Sequence, residues 1–199
     1  TAMKVALQKL MKAGLLDYDE RPRKEWIYQH AGQIVATNAQ ITWARDTEKC
    51  LKSGTVHEDM AVWFQTNLDD IQDLIQAIRS KLSKIDRKVI VALVTTDVHA
   101  RDILAELIES KVDDDRNFAW RKCLRYYWDQ SIDDCQIRHG DADLDYGYEY
   151  QGPTSRLVIT PLTDRCWMCL TGAYKLKLGG APSGPAGTGK TESTKDLAK

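Results

Sequence analysis

The sequence predicts a mostly α-helical chain whose final quarter begins an α/β fold around a phosphate-binding loop. Three observations predict it. Apolar residues recur at three- and four-residue spacing through most of the stretch from Met3 to Leu107. After Asp134 the period shortens toward two. Near the C-terminal end, Gly184-Pro185-Ala186-Gly187-Thr188-Gly189-Lys190-Thr191 satisfies the pattern G-x-x-x-x-G-K-[ST].

Taken in order, residues 1–13 carry Met3, Val5, Ala6, Leu7, Leu10 and Met11 near helical spacing, with Gly14 as the expected stop and Arg21-Pro22-Arg23 as a break. From Lys24 to about Lys52 the recurrence of Trp26, Ile27, His30, Ile34, Val35, Asn38 and Ile41 predicts one long helix, closed by Ser53-Gly54. His57 to Lys84 holds the clearest stripe, Met60, Trp63, Phe64, Leu68, Ile71, Leu74, Ile75, Ile78 and Leu82. In Asp86 to Ser110 the β-branched run Val89 to Thr96 argues for strand. The length and the absence of a turn residue argue for one buried helix, which is the reading adopted. Asp113-Asp114-Asp115 reads as a solvated loop with capping capacity, and Asn117 to Gln130 as a short aromatic helix. Strands are expected at Asp134 to Gly140 and Asp145 to Tyr150, a turn at Gly152-Pro153, and a short extended run at Leu157-Val158-Ile159. Pro161 suits the first position of a helix running to about Leu176, ended by Gly179-Gly180. Lys190 to Lys199 begins the helix after the loop.

The 199 residues are 43% hydrophobic, which suits a packed core. Charged residues make up 29% and nearly cancel, to a net −1, so nothing calls for nucleic acid or an anionic membrane as partner. No apolar run approaches the roughly 20 residues of a membrane span. Five scattered cysteines do not read as a disulfide framework. Cys166-Trp167-Met168-Cys169 is formally a C-x-x-C, yet a zinc site would want a second pair. A redox site is the minority reading; the plain one is a helix using both thiols as small hydrophobes.

The loop carries the chemistry. Its glycines let the backbone wrap phosphates with N–H groups turned inward, and it feeds a helix N-terminus whose partial positive charge suits an anion. Lys190 offers a point charge to β- and γ-phosphates, and Thr191 a hydroxyl to Mg²⁺. Other candidates read as structure. His30, His57, His99 and His139 share no metal-ligand spacing. Asp97-Val98-His99-Ala100-Arg101-Asp102 reads as a polar helix turn bridging to neighbours. Tyr126-Tyr127-Trp128 reads as helix packing, and Asp69-Asp70 as solvated charge.

Tyr146-Gly147-Tyr148-Glu149-Tyr150, Arg156-Leu157-Val158-Ile159-Thr160-Pro161-Leu162-Thr163-Asp164-Arg165-Cys166, Leu178-Gly179-Gly180-Ala181-Pro182, and the loop with Glu192 together resemble the first AAA+ module of dynein heavy chains. Upstream, Val98-His99-Ala100-Arg101-Asp102 and Leu124-Arg125-Tyr126-Tyr127-Trp128 resemble the C-terminal part of the dynein linker. The resemblance covers the whole chain and is most specific from Asp97 onward. Gln151 and Trp167 depart from the leucine and tyrosine common there. The ending Thr194-Lys195-Asp196-Leu197-Ala198-Lys199 is similar to axonemal heavy chains, of the single-headed inner-arm kind.

The resemblance implies a mostly helical linker segment, residues 1–144, followed by the start of the first AAA+ module, residues 145–199, within a longer polypeptide. It implies an ATP-driven, minus-end-directed microtubule motor of the cytoskeleton, in the axoneme of a cilium or flagellum. Its partners would be microtubules, other heavy, intermediate and light chains, and further AAA+ modules. ATP and Mg²⁺ would be the cofactors. Gly184, Pro185, Ala186, Gly187, Thr188, Gly189, Lys190, Thr191 and Glu192 would surround the phosphates, with Thr191 on the metal. Leu157, Val158, Ile159, Pro161 and Leu162 would wall the adenine. The short connection Gly140 to Gln151 would join lever and module. With no acidic strand motif, sensor residues or arginine finger in residues 1–199, negligible ATPase activity is expected of them alone. Two alternatives stay open: another P-loop NTPase, and a structural helical module with a silent loop.

Overall fold

The computed structural model describes residues 2–199. It is mostly helical, with one small antiparallel sheet. The helices are α1 (Ala2–Glu20), α2 (Arg23–Trp26), α3 (Gly32–Leu51), α4 (Val56–Arg79), α5 (Lys84–Glu109), α6 (Phe118–Arg121), α7 (Pro161–Lys175) and α8 (Lys190–Leu197). Strands β1 (Arg125–Asp129), β2 (Asp134–His139) and β3 (Ala142–Asp145) form a meander in that order. None of the described helices is long and apolar enough to cross a membrane.

Helix α3 is the axis of the molecule. It packs against α1, α4, α5 and β1 and is buried on most sides. Three apolar clusters surround it. Ala44, Leu51, Met60, Leu104, Leu107 and Trp120 join α3 to α4, α5 and α6. Trp26, Val35, Leu74, Ile90 and Leu93 close the opposite end. Leu7, Met11, Ile34, Tyr126, Cys135, Tyr146 and Tyr148 seal α1 and α3 onto the sheet. The stripe expected in α4 is seen, with Met60, Ile71 and Leu74 buried. The ambiguous stretch from Asp86 is one helix, α5, capped by Ser83 through the amide of Asp86 at 3.1 Å. The polar turn of α5 bridges as expected: Arg23 reaches Asp97 at 2.7 Å and Asp70 at 3.3 Å, tying α2, α4 and α5 together. Asp70 is thus partly buried and paired rather than freely solvated.

Several expectations are corrected. Gly14 does not stop α1, which runs on to Glu20. It marks a close approach instead, since a Cβ there would lie 2.6 Å from Asn38 Nδ2. The helix expected from Lys24 is broken: α2 ends after one turn and α3 starts at Gly32. The aromatic helix of Asn117 to Gln130 is only the single turn α6. Tyr126, Tyr127 and Trp128 lie on β1, opposite Ile137, Gln136 and Cys135, because aromatic side chains fit a pleated half-buried surface and β2 supplies a pairing edge. The second strand comes earlier than expected, at Ala142–Asp145, after a two-residue turn with Gly140 at φ +59°. Beyond the amide of Tyr146, which donates to Cys135 O at 3.2 Å, the run to Tyr150 joins no strand; it alternates because Tyr146 and Tyr148 face the core.

Residues 146–199 hold α7, α8 and connecting segments, with no paired strand among them. Helix α7 begins at Pro161, with Thr160 accepting from the amide of Thr163 at 3.2 Å. It ends before Gly179-Gly180. Lys177 takes the left-handed conformation at φ +59°, while the amides of Leu178 and Lys177 return to Ala173 and Tyr174 at 2.9 Å. This is a Schellman ending with lysine in glycine's usual place. Helix α5 ends the same way at Lys111, φ +50°.

Candidate functional site at the glycine loop

The loop at Gly184–Gly189 leads directly into α8. Gly189 is the residue before the helix, at φ +74°, and Gly187 sits at φ +78°. Both conformations cost a residue bearing a Cβ and cost glycine almost nothing, so glycine suits the tight turn at both positions. Lys190, the first residue of α8, folds back over the loop. Its ammonium donates to the carbonyl oxygens of Gly184, at 2.9 Å, and Pro185, and lies 3.4 Å from Thr188 Oγ. Thr188 Oγ donates to Pro185 O at 2.9 Å and closes the ring. The motif thus concentrates one positive charge inside a loop of small residues at a helix N-terminus, an arrangement suited to an oxyanion.

The loop is held from outside the motif. Trp167 of α7 is 2% exposed, and its indole N–H donates to Ser193 O on α8 at 3.0 Å. Arg156 donates to Asp196 O at 3.1 Å, and Lys199 to Ser155 O at 2.8 Å. On the flank, Leu170 packs so tightly on Gly180 that a Cβ there would be 2.4 Å from it. Between α7 and the loop lies a cleft of about 600 Å³, lined in part by Leu162, Cys166, Cys169, Pro182, Thr188 and Lys190.

Of the five residues expected to wall the adenine, Leu162 lines this cleft. Ile159 and Pro161 line a separate groove against α5 and α6, beside His99 and Lys122. Leu157 and Val158 line neither, and Val158 is 74% exposed. The five are therefore not one surface here. Pro185, Ala186, Gly187 and Thr191 are exposed around the loop. Glu192, expected with the phosphates, is turned along the surface of α8, 3.1 Å from Lys195. Cys166 and Cys169 are corrected too: they are exposed rather than packed as small hydrophobes. Trp167 and Arg156 escaped the sequence reading as site residues, although the unbroken helical spacing around Trp167 marks it as an inward-facing residue.

Mg²⁺ tests the donor set. No group of three or more His, Cys, Asp or Glu side chains among the described residues could hold a metal ion. The fitting donor from the chain is the exposed hydroxyl of Thr191 at the first turn of α8. Mg²⁺ keeps several waters and takes ligands from substrate phosphates, so one hydroxyl beside a loop suited to an oxyanion fits it as a shared ligand.

A family profile described as "Hydrolytic ATP binding site of dynein motor region" matches residues 146–199. Over the whole chain the sequence is 47% identical to dynein axonemal heavy chain 6 of Homo sapiens, and over 98% of it 44% identical to dynein axonemal heavy chain 12 of Mus musculus. It is 41% identical over its full length to dynein axonemal heavy chain 1 of Homo sapiens. The chain spans 5%, 6% and 4% of the lengths of these relatives.

Proposed function

Because the chain belongs to the axonemal dynein heavy chain family, we propose that it forms the junction of such a motor where the helical linker meets the first ATP-hydrolysing AAA+ module. Residues 1–144 would be the end of the lever and residues 145–199 the opening of the module. The whole motor would use ATP to move along microtubules in the axoneme, beside other heavy, intermediate and light chains.

The observation that carries this reading is Lys190 folded into a glycine loop at the head of α8. Loop carbonyls and Thr188 Oγ hold the ammonium in place. The oxygens of a triphosphate are charged acceptors and make stronger bonds to it than neutral carbonyls do. Gly184, Gly187, Thr188 and Gly189 would offer backbone N–H groups, and Lys190 would neutralise β- and γ-phosphate charge. Thr191 would share Mg²⁺, which when bound screens the charge that develops during phosphoryl transfer.

The connection between the two parts is short and fastened. Tyr146 and Tyr148 are buried in the cluster that seals α1 and α3 to the sheet. Gln33 donates to Glu149 O at 2.7 Å and accepts from the amide of Gln151 at 2.8 Å. A change at the phosphate loop would have few loose residues to cross on its way to the lever.

The test is binding of a fluorescent ATP analogue with Mg²⁺ to a heavy chain carrying this segment, beside Lys190→Ala in the same chain. Binding weakened tenfold or more at this module by the substitution is expected. Equal affinity in the two would overturn the assignment of the loop.

A further inference from the structure

Cys166 and Cys169 stand three residues apart on α7, both exposed and both lining the cleft that Thr188 and Lys190 line from the other side. Trp167 between them is buried and bonded to Ser193 O, so α7 cannot roll to turn the two thiols away. The other three cysteines are placed differently. Cys123 and Cys135 are buried, and burial pushes each thiol up to about 12, far from the reactive thiolate form. Cys50 is half-buried on α3.

The helix decides what such a pair can bind. Residues i and i+3 have Cβ atoms about 5–6 Å apart. A disulfide wants about 3.5–4.5 Å, so closing one would require unwinding that turn of α7. A single soft centre with bonds to sulfur of about 2.3 Å spans two sulfurs roughly 3.5–4 Å apart, which two side chains leaning toward each other on an intact helix reach. Thiolates are the ligands that soft centres select.

We propose that Cys166 and Cys169 form a vicinal-dithiol site for one soft, thiophilic centre of the trivalent-arsenical class, and that its occupancy closes the loop cleft to nucleotide. With phenylarsine oxide as probe, both S–H bonds break and two As–S bonds form. The oxide oxygen leaves with the two protons as water, and arsenic stays trivalent, so no oxidant is needed. The capture half stands on the cysteines alone; the closure half rests on the nucleotide reading above.

Intact-mass measurement of the 199-residue chain after phenylarsine oxide should show one arsenical group per chain, removed by ethanedithiol. The adduct should disappear in Cys166→Ser and in Cys169→Ser and persist in Cys50→Ser. An adduct that persists in the double Cys166→Ser/Cys169→Ser chain, or none in the wild type, overturns the site. In a heavy chain carrying this segment, saturating Mg²⁺ and non-hydrolysable ATP analogue should slow adduct formation on the peptide that bears both cysteines at least fivefold, with analogue binding followed in parallel. Bound analogue that leaves the rate unchanged overturns the closure. If no analogue binds to that heavy chain, the nucleotide reading falls and the closure with it, while the capture result still decides the dithiol site.

Discussion

Nδ1 of His139, at the end of β2, lies 3.0 Å from the hydroxyl oxygen of Thr171 on α7, and both side chains are buried. Thr171 Oγ also lies 3.0 Å from Trp167 O one turn back. Assigning its proton to that carbonyl makes His139 Nδ1–H the donor to Thr171 and leaves Nε2 as a bare lone pair, buried without a partner. Burial pushes His139 down to about 4, against a smaller opposing effect of the Lys122 backbone and with nearby Arg125 acting in the same direction as burial.

The sign follows. Above the ordinary histidine range, near pH 6.5, the ring is neutral folded and unfolded and costs nothing. As pH falls from there toward 4 the unfolded chain takes up the proton first, so stability is lost, by about 3 kcal/mol in all, and the loss levels off below the folded value. His139→Gln should flatten that part of the profile. Urea unfolding of both proteins from pH 7 to 4 measures it, and parallel profiles would count against the assignment.

Gln33 on α3 grips the chain at Glu149 and Gln151 through its side-chain amide. Gln33→Ala should cost about 1 kcal/mol, the net worth of ordinary hydrogen bonds, because the bonds to the Glu149 carbonyl and from the Gln151 amide are only partly buried. The effect should be local. Hydrogen exchange at the Gln151 amide should quicken by tenfold or more, while amides of α5 keep their protection.

Gly14→Ala runs against the usual helix rule. Alanine normally gains about 1 kcal/mol over glycine inside a helix. Here the new methyl would meet Asn38, whose amide donates to Met11 O at 2.9 Å and is fully buried. Overpacking of this kind costs about 1–3 kcal/mol, so a lower urea midpoint with an unchanged m-value is expected.

The two helix endings predict the opposite sign. Lys111 and Lys177 occupy left-handed backbone, which costs a residue with a Cβ about 1 kcal/mol and glycine almost nothing. Lys177→Gly and Lys111→Gly should each raise the unfolding free energy by about 0.5–1 kcal/mol. A loss at Lys177 would mean that its ammonium over the Tyr174 ring, 5.8 Å away, matters more than the backbone.

How much could be read from residues alone depended on whether local and long-range forces agreed. In α4 and α5 they agree, and the apolar stripes alone placed the elements. In Tyr126-Tyr127-Trp128 they do not. The spacing allows a helix, but the partner strand lies ten or so residues downstream, and no local signal announces it. Gly14 was misread because glycine ends helices more often than it admits a neighbouring asparagine. At the candidate site the loop was legible because its chemistry is written in contiguous residues. The placing of Leu157, Val158, Ile159, Pro161 and Leu162 was not, since Pro161 starts a helix and the five do not share one surface. Trp167, Arg156 and the cysteine pair gain their positions from α7 and α8 meeting, which no motif records.

Helix α8 has only two turns, too few to persist unaided in water. Its hold on a single shape comes from the Trp167, Arg156 and Lys199 side-chain bonds, all anchored in residues outside the glycine pattern. The glycine loop is therefore not a transplantable cassette. Grafted as eight letters into a foreign surface, it would keep its composition and lose its curvature, because the mould that shapes it is cast elsewhere in the chain.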